Sequence, residues 1–130
     1  MGYLIVFLGA GIGGMARHAV DLLAPRLLDT AVFPYDTLAI NVVGSLLMGL
    51  IVEYFVIRSG LSQHLRLFLT TGILGGFTTF SAFSLEAVML WQRGATVACV
   101  LYVAASVTLS VGALFLALAI ARRFLRENAP

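Results

Sequence analysis

Apolar side chains run along this chain in four long blocks, separated by short joints that carry arginine, proline or glycine. A helix needs about 20 mostly apolar residues to cross roughly 30 Å of hydrocarbon, and each block reaches that length. The first runs from Tyr3 to Ala24 and is predicted to stop at Pro25, which cannot donate to the helix ladder. A connector, PRLLDTAVFP, leads to the second block, Tyr35 to Ile57, which closes with Arg58, Ser59 and Gly60. The third covers about Leu65 to Trp91 and stops at Gln92, Arg93 and Gly94. The fourth runs from Ala95 to Ala121, with Arg122, Arg123 and Arg126 at its end. Spans at 3–24, 35–57, 65–91 and 95–121 leave nothing for a globular domain. The pattern predicts an all-α membrane protein, a single four-helix transmembrane domain over residues 1–130.

Composition agrees with lipid as the solvent. Apolar residues make up 61% of the chain and charged residues 11%, against about 25% charged in a typical soluble domain. The basic side chains are all arginine, scattered without a stripe, which argues against a nucleic-acid partner. Cys99 stands alone and reads as a small side chain in an apolar run. The opening MGYLIVFLGAGIGG has no basic n-region, so the first block is expected to be kept as a helix. Tyr3, Tyr35, Tyr54 and Trp91 fall near block ends, where amphipathic rings settle among headgroups; Tyr102 lies about two turns inside the fourth. An even number of spans puts Arg58, Arg66, Arg122, Arg123 and Arg126 on one side and Arg17, Arg26 and Arg93 on the other. So weak a bias suits insertion in both orientations.

Gly9–Gly13 and Gly72–Gly76 are GxxxG pairs, and Gly44, Ser45 and Gly49 continue the theme. Small residues let helices approach closely in lipid, within one chain or between copies. Polar groups at membrane depth ask for more explanation. Asn41 heads a face formed by Gly44, Ser45, Met48 and Gly49; its amide either bonds a neighbouring helix or lines a water-accessible path. The run GILGGFTTFSAFS, Gly72 to Ser84, is a poor helix interior in the middle of the third block. A break is predicted there, and irregular backbone at that depth survives only when buried in protein or lining a cavity. Tyr102, Ser106 and Ser110 follow i, i+4, i+8 spacing and stack hydroxyls along one face over roughly 12 Å. Each could bond back to its own helix; in register they read as a polar track.

Arg17, Asp21, Glu53 and Glu86 lie in or near span ends, Arg17 and Asp21 spaced to pair. Glu86, two turns past the break, suits the border of an aqueous vestibule. His18 and His64 carry no metal-ligand spacing, and no nucleophile–base set or phosphate loop appears, so no enzyme is expected. Hydroxyl and amide donors without fixed charge suit a small anion better than a cation, which usually meets a ring of acids. Aromatic rings are positive at their edges, so Phe80 and Phe83 beside the break either pack or offer edges to an anion. From the residues alone, an anion pathway is as far as the reading goes.

Three segments resemble those of the Fluc (CrcB) fluoride channels, small four-span proteins that act as antiparallel homodimers. GIGGMARH, Gly11 to His18, is similar to the family's G-x-x-G-x-x-R-Y element, with His18 in place of tyrosine. PYDTLAINVVGSLLMG, Pro34 to Gly49, is similar to P-x-G-T-L-x-x-N-x-x-G-S, with Asp36 where glycine is usual. GILGGFTTFSAFSLE, Gly72 to Glu86, closely resembles G-x-x-G-G-F-T-T-F-S-T-F-S-x-E. The resemblance implies a fluoride channel in the bacterial inner membrane, exporting toxic fluoride passively through two pores per dimer. It implies that Asn41 donates to fluoride, that Phe80 and Phe83 line the pores, and that Ser84, Tyr102, Ser106 and Ser110 extend a polar track. A structural sodium ion would be held at the dimer centre by backbone carbonyls of Gly75 and Thr78 from both subunits. Arg17 would serve structure or the vestibule. The alternative is a proton-coupled exporter resembling the small multidrug resistance proteins, whose embedded first-span glutamate is missing here, leaving Glu86 as substitute. A third reading is a non-transporting assembly subunit.

Overall fold

The computed structural model describes residues 1–58 and 60–127, with side chains through Phe124. Ser59 and the side chain of Arg126, both invoked above, lie outside the described residues. Helix α1 covers Gly2–Leu27 and α2 covers Tyr35–Ile57. The third span is two helical pieces, α3 over 63–77 and α4 over Phe80–Gln92, and α5 covers Thr96–Glu127. The stretches Gly2–Leu27, Tyr35–Ile57, Gln63–Gln92 and Thr96–Phe124 are each long and apolar enough to cross a membrane. The chain is a multi-pass membrane protein.

Pro25 does not end the first helix. It sits inside α1, which continues to Leu27 before Leu28 donates its N–H to Ala24 O at 2.9 Å and turns extended. In a last turn, proline forfeits only its own bond to the ladder, so the helix tolerates it. The arginines after Ala121 likewise continue α5.

Ser62 precedes helix α3, and its Oγ accepts from His64 N–H at 3.2 Å and so caps the first turn. The middle of α3, Phe68–Leu74, is wound as a π-helix, a rare form that occurs frequently at functional sites. Backbone from α1 lies directly on this segment. A Cβ on Gly13 would collide with Ile73 O, and one on Gly76 with Ala10 O. The two GxxxG pairs are therefore consumed by packing inside one chain, α1 against α3. Helix α2 packs along α5, where Gly49 meets Leu114 and the fully buried Ala117.

At the far end of this α2–α5 seam, Glu53 is buried and accepts from Arg122 Nε at 2.9 Å. Most large apolar side chains point outward, among them Phe7, Phe115, Trp91 and Val97. That surface suits lipid and would be untenable in water.

Candidate functional site

The third span breaks at Thr78 and Thr79, both in extended backbone conformation with ψ of 157° and 125°. Three side chains make the break affordable at membrane depth. Thr78 closes α3: its N–H and its Oγ1 both donate to Leu74 O, each at 2.9 Å. Thr79 opens α4: its Oγ1 accepts from Ala82 N–H at 3.2 Å, an N-cap on the third helical position. Asn41 then pairs with the Thr79 backbone like a second peptide group. Its Oδ1 accepts from Thr79 N–H at 3.0 Å, and its Nδ2 donates to Thr79 O at 3.1 Å.

These bonds redirect two donors. In an unbroken helix, Thr79 N–H would go to Gly75 O and Ala82 N–H to Thr78 O. Here the first goes to Asn41 and the second to the Thr79 hydroxyl. The carbonyls of Gly75 and Thr78 thus lose their helical donors, and Gly75 is exposed.

Beside the break lies a groove of about 340 Å³ lined by Asn41, Thr79, Phe80, Phe83, Ser106 and Ser110 among others, none of its lining residues ionisable. Helix α2 places Asn41, α4 the two phenyl rings and α5 the two serines. Asn41 has a second Nδ2 hydrogen beyond the one given to Thr79. The Ser106 and Ser110 hydroxyls are buried and have no hydrogen-bond partner among the described residues. A helical serine usually bonds back to its own backbone, and an unsatisfied buried hydroxyl costs about 1–3 kcal/mol. Both residues border the groove, one helical turn apart on the same face of α5.

Tyr102 and Ser84 fall outside that groove. Tyr102 is fully buried, and its hydroxyl donates to Glu86 Oε2 at 2.6 Å. Its ring lies 5.3 Å from Phe83 and 5.6 Å, edge-on, from Phe33. Ser84 donates to Phe80 O at 2.9 Å, one turn back. The polar track expected from spacing therefore divides: Ser106 and Ser110 border the groove, while Tyr102 orients Glu86.

A second cavity, about 490 Å³, also borders the break and is lined by Arg17, His18, Asp21, Asp36, Thr79 and Glu86 among others. Thr79 borders both cavities. Arg17 and Asp21 share this space, but no ion pair joins them among the described residues. Glu86 is held at both oxygens, by Tyr102 and by Thr37 Oγ1, which donates to Oε1 at 2.8 Å. Sequence reasoning passed over Thr37, which is buried. Its signal was available: it stands four residues before Asn41, on the same helical face. Ser81, read from the sequence only as part of the poor helix interior, lines the charged cavity and lies 3.3 Å from the Thr79 hydroxyl.

Residues 4–118 match the family described as CrcB-like protein, Camphor Resistance (CrcB). The chain belongs to the CrcB family. It is 63% identical over 126 residues to the fluoride-specific ion channel FluC of Granulibacter bethesdensis, covering 97% of this chain and 98% of that protein. FluC of Rhodopseudomonas palustris (strain BisB5) is 57% identical over 122 residues, 94% of this chain and 98% of the other. FluC of Methylobacterium sp. (strain 4-46) is 55% identical over 121 residues, 93% and 96% of the two chains. The matched stretch of this CrcB-family chain takes in the break, the groove and the charged cavity together.

Proposed function

We propose that this chain is a subunit of a fluoride-selective channel. The observation that carries the proposal is the uncharged groove at the break, where the orphaned Ser106 and Ser110 hydroxyls and the Asn41 amide converge beside Phe80 and Phe83. Fluoride is small and strongly hydrated, and several fixed donors can replace its water while none adds a charge that would trap it. Phenyl edges carry partial positive charge and extend that stabilisation. Membership in the CrcB family and relatives named fluoride-specific channels support the choice of anion.

The groove is open along one side of the single chain, with Phe80 largely exposed beside it. A second copy in antiparallel orientation would cover that side and produce two pores per homodimer. The carbonyls of Gly75 and Thr78 fit a sodium site, since the donors each would have had in an unbroken helix are taken elsewhere and oxygen ligands suit a hard cation. Such an ion, when bound, would neutralise carbonyl dipoles brought together between subunits and so hold the dimer, without being transported. Passive conduction in the bacterial inner membrane suffices for export, because about 2.3 kcal/mol per 100 mV acts on each anion. A proton-coupled carrier would need a carboxylate free to exchange protons, whereas both Glu86 oxygens accept hydrogen bonds from side chains inside the protein.

Efflux from liposomes containing the purified chain tests the reading. Rapid fluoride release with no chloride release, and no proton movement stoichiometrically coupled to it, is expected. Equal release of both anions, or of neither, would refute it.

A further inference from the structure

Another groove lies toward the C-terminal ends of α2 and α5, remote from Asn41 and Tyr102. It measures about 420 Å³ and is lined by Ile51, Tyr54 and Phe55 of α2, Leu65 and Leu69 of α3, and Ile120 of α5, among others. Apart from the Tyr54 hydroxyl, the side chains described in that lining are apolar. Tyr54, Leu65 and Ile120 are exposed, so the groove opens on the surface of the chain. Two arginines mark its outer end. Arg58 follows Ile51, Tyr54 and Phe55 by seven, four and three residues, on their helical face. Arg66 directly follows Leu65 and stands three residues before Leu69. Both arginines are exposed, and neither forms an ion pair among the described residues.

We propose that this groove binds an anionic phospholipid, with one acyl chain along α2 between α3 and α5 and the phosphate on Arg58 and Arg66. From Arg58 back to Ile51 the helix spans about 10 Å. Half of the bilayer's hydrocarbon is about 15 Å thick, so the groove leads a chain inward from headgroup level. Tyr54, one turn from Arg58, is the residue type that settles at that level. A volume of 420 Å³ corresponds to about fourteen waters at about 30 Å³ each. A methylene group needs similar room, so one acyl chain fits.

Charge selects the headgroup. Among the described side chains, this end of the chain holds Arg58, Arg66, Arg122 and Arg123 against a single carboxylate, Glu53. Glu53 is buried and accepts from Arg122 Nε, so it does not neutralise Arg58 or Arg66. At the other end carboxylates prevail, with Asp21, Asp29, Asp36 and Glu86 set against Arg17, Arg26 and Arg93. A lipid phosphate supplies the missing negative charge, and guanidinium N–H groups match its oxygens. Zwitterionic lipid offers the same chain with no net charge. Each arginine near an anionic headgroup contributes about five-fold in binding, so the pair favours anionic lipid by about five- to twenty-five-fold.

Quenching by brominated lipid tests this on the full-length chain carrying Trp91→Phe and Ile120→Trp, reconstituted in vesicles. Brominated acyl chains quench an indole only at close range, so the single tryptophan reports what occupies the groove. Dibrominated phosphatidylglycerol is expected to quench with an apparent affinity about five-fold or more above that of dibrominated phosphatidylcholine. Arg58→Gln together with Arg66→Gln should bring the two lipids level, and high salt should narrow the gap. Equal quenching by both lipids in the chain with its arginines intact means bulk lipid only and overturns the proposal. Quenching by neither means that a second copy covers the groove, and overturns it too. Native mass spectrometry of the unsubstituted chain is an independent measure. Phosphatidylglycerol should stay bound in preference to phosphatidylcholine, and a preference unchanged by the two arginine substitutions would sink the site. Neither measurement depends on ion conduction, so the channel reading stands or falls separately.

Discussion

Replacing Asn41 with leucine keeps the branching of the side chain and removes both bonds that hold the Thr79 peptide groups. Thr79 N–H and C=O would then lack the partners they now have at 3.0 and 3.1 Å. A buried donor or acceptor left unsatisfied costs about 1–3 kcal/mol. Thr79 is only half-buried and borders two cavities, so water can recover part of that sum. A loss of about 2–4 kcal/mol is expected. Neither a helical nor an extended alternative repairs it cheaply: rejoining α3 to α4 would rotate Phe80 and Phe83 away from the groove. The variant should therefore lose fluoride efflux along with stability. Reversible unfolding in mixed detergent micelles gives the first quantity and liposome efflux the second. Stability within about 0.5 kcal/mol of wild type together with unimpaired efflux would refute the role assigned to Asn41. Asn41→Asp separates the two effects. It keeps the acceptor for Thr79 N–H, yet sets a negative oxygen against Thr79 O and against the passing anion, so efflux should fall at neutral pH.

Phe80→Ile and Phe83→Ile should each slow fluoride efflux strongly while leaving the oligomeric state, read by size-exclusion chromatography, unchanged. Gly76→Val forces a side chain into Ala10 O and should abolish the folded protein, since the obstructing atom is backbone rather than a movable side-chain tip; a folded variant would mean α1 does not lie where described. Arg122→Ala leaves the buried Glu53 carboxylate without its partner. Breaking such a pair deep in a protein costs about 3–5 kcal/mol, but Arg122 is half exposed, so about 1–2 kcal/mol is expected, with most of it restored in the Arg122→Ala, Glu53→Gln double variant.

The four spans were legible because hydrocarbon imposes a length and a composition that no loop satisfies. The break was legible for a related reason: three glycines and three hydroxyl residues at mid-depth cannot make a sound helix in lipid. Local chemistry decided both. Pro25 was misjudged because a proline's effect depends on how much helix follows it, which the residue itself does not reveal.

Other features depended on which helices meet. Spacing put Tyr102 in line with Ser106 and Ser110, yet a helix face does not state its partner. Only the packing of α4 beside α5 gives the Tyr102 hydroxyl to Glu86, and only the approach of α2 adds Thr37 to the same carboxylate. Asn41 showed itself as an anomaly at membrane depth, but its pairing with Thr79 spans 38 residues of sequence. By itself the sequence determined the solvent, the number of crossings and the place where the third one fails, since each follows from local polarity and conformational preference. Tertiary structure alone decided which polar groups satisfy one another and which are left over for an ion, because hydrogen bonds between distant segments form only where packing brings their atoms within about 3 Å.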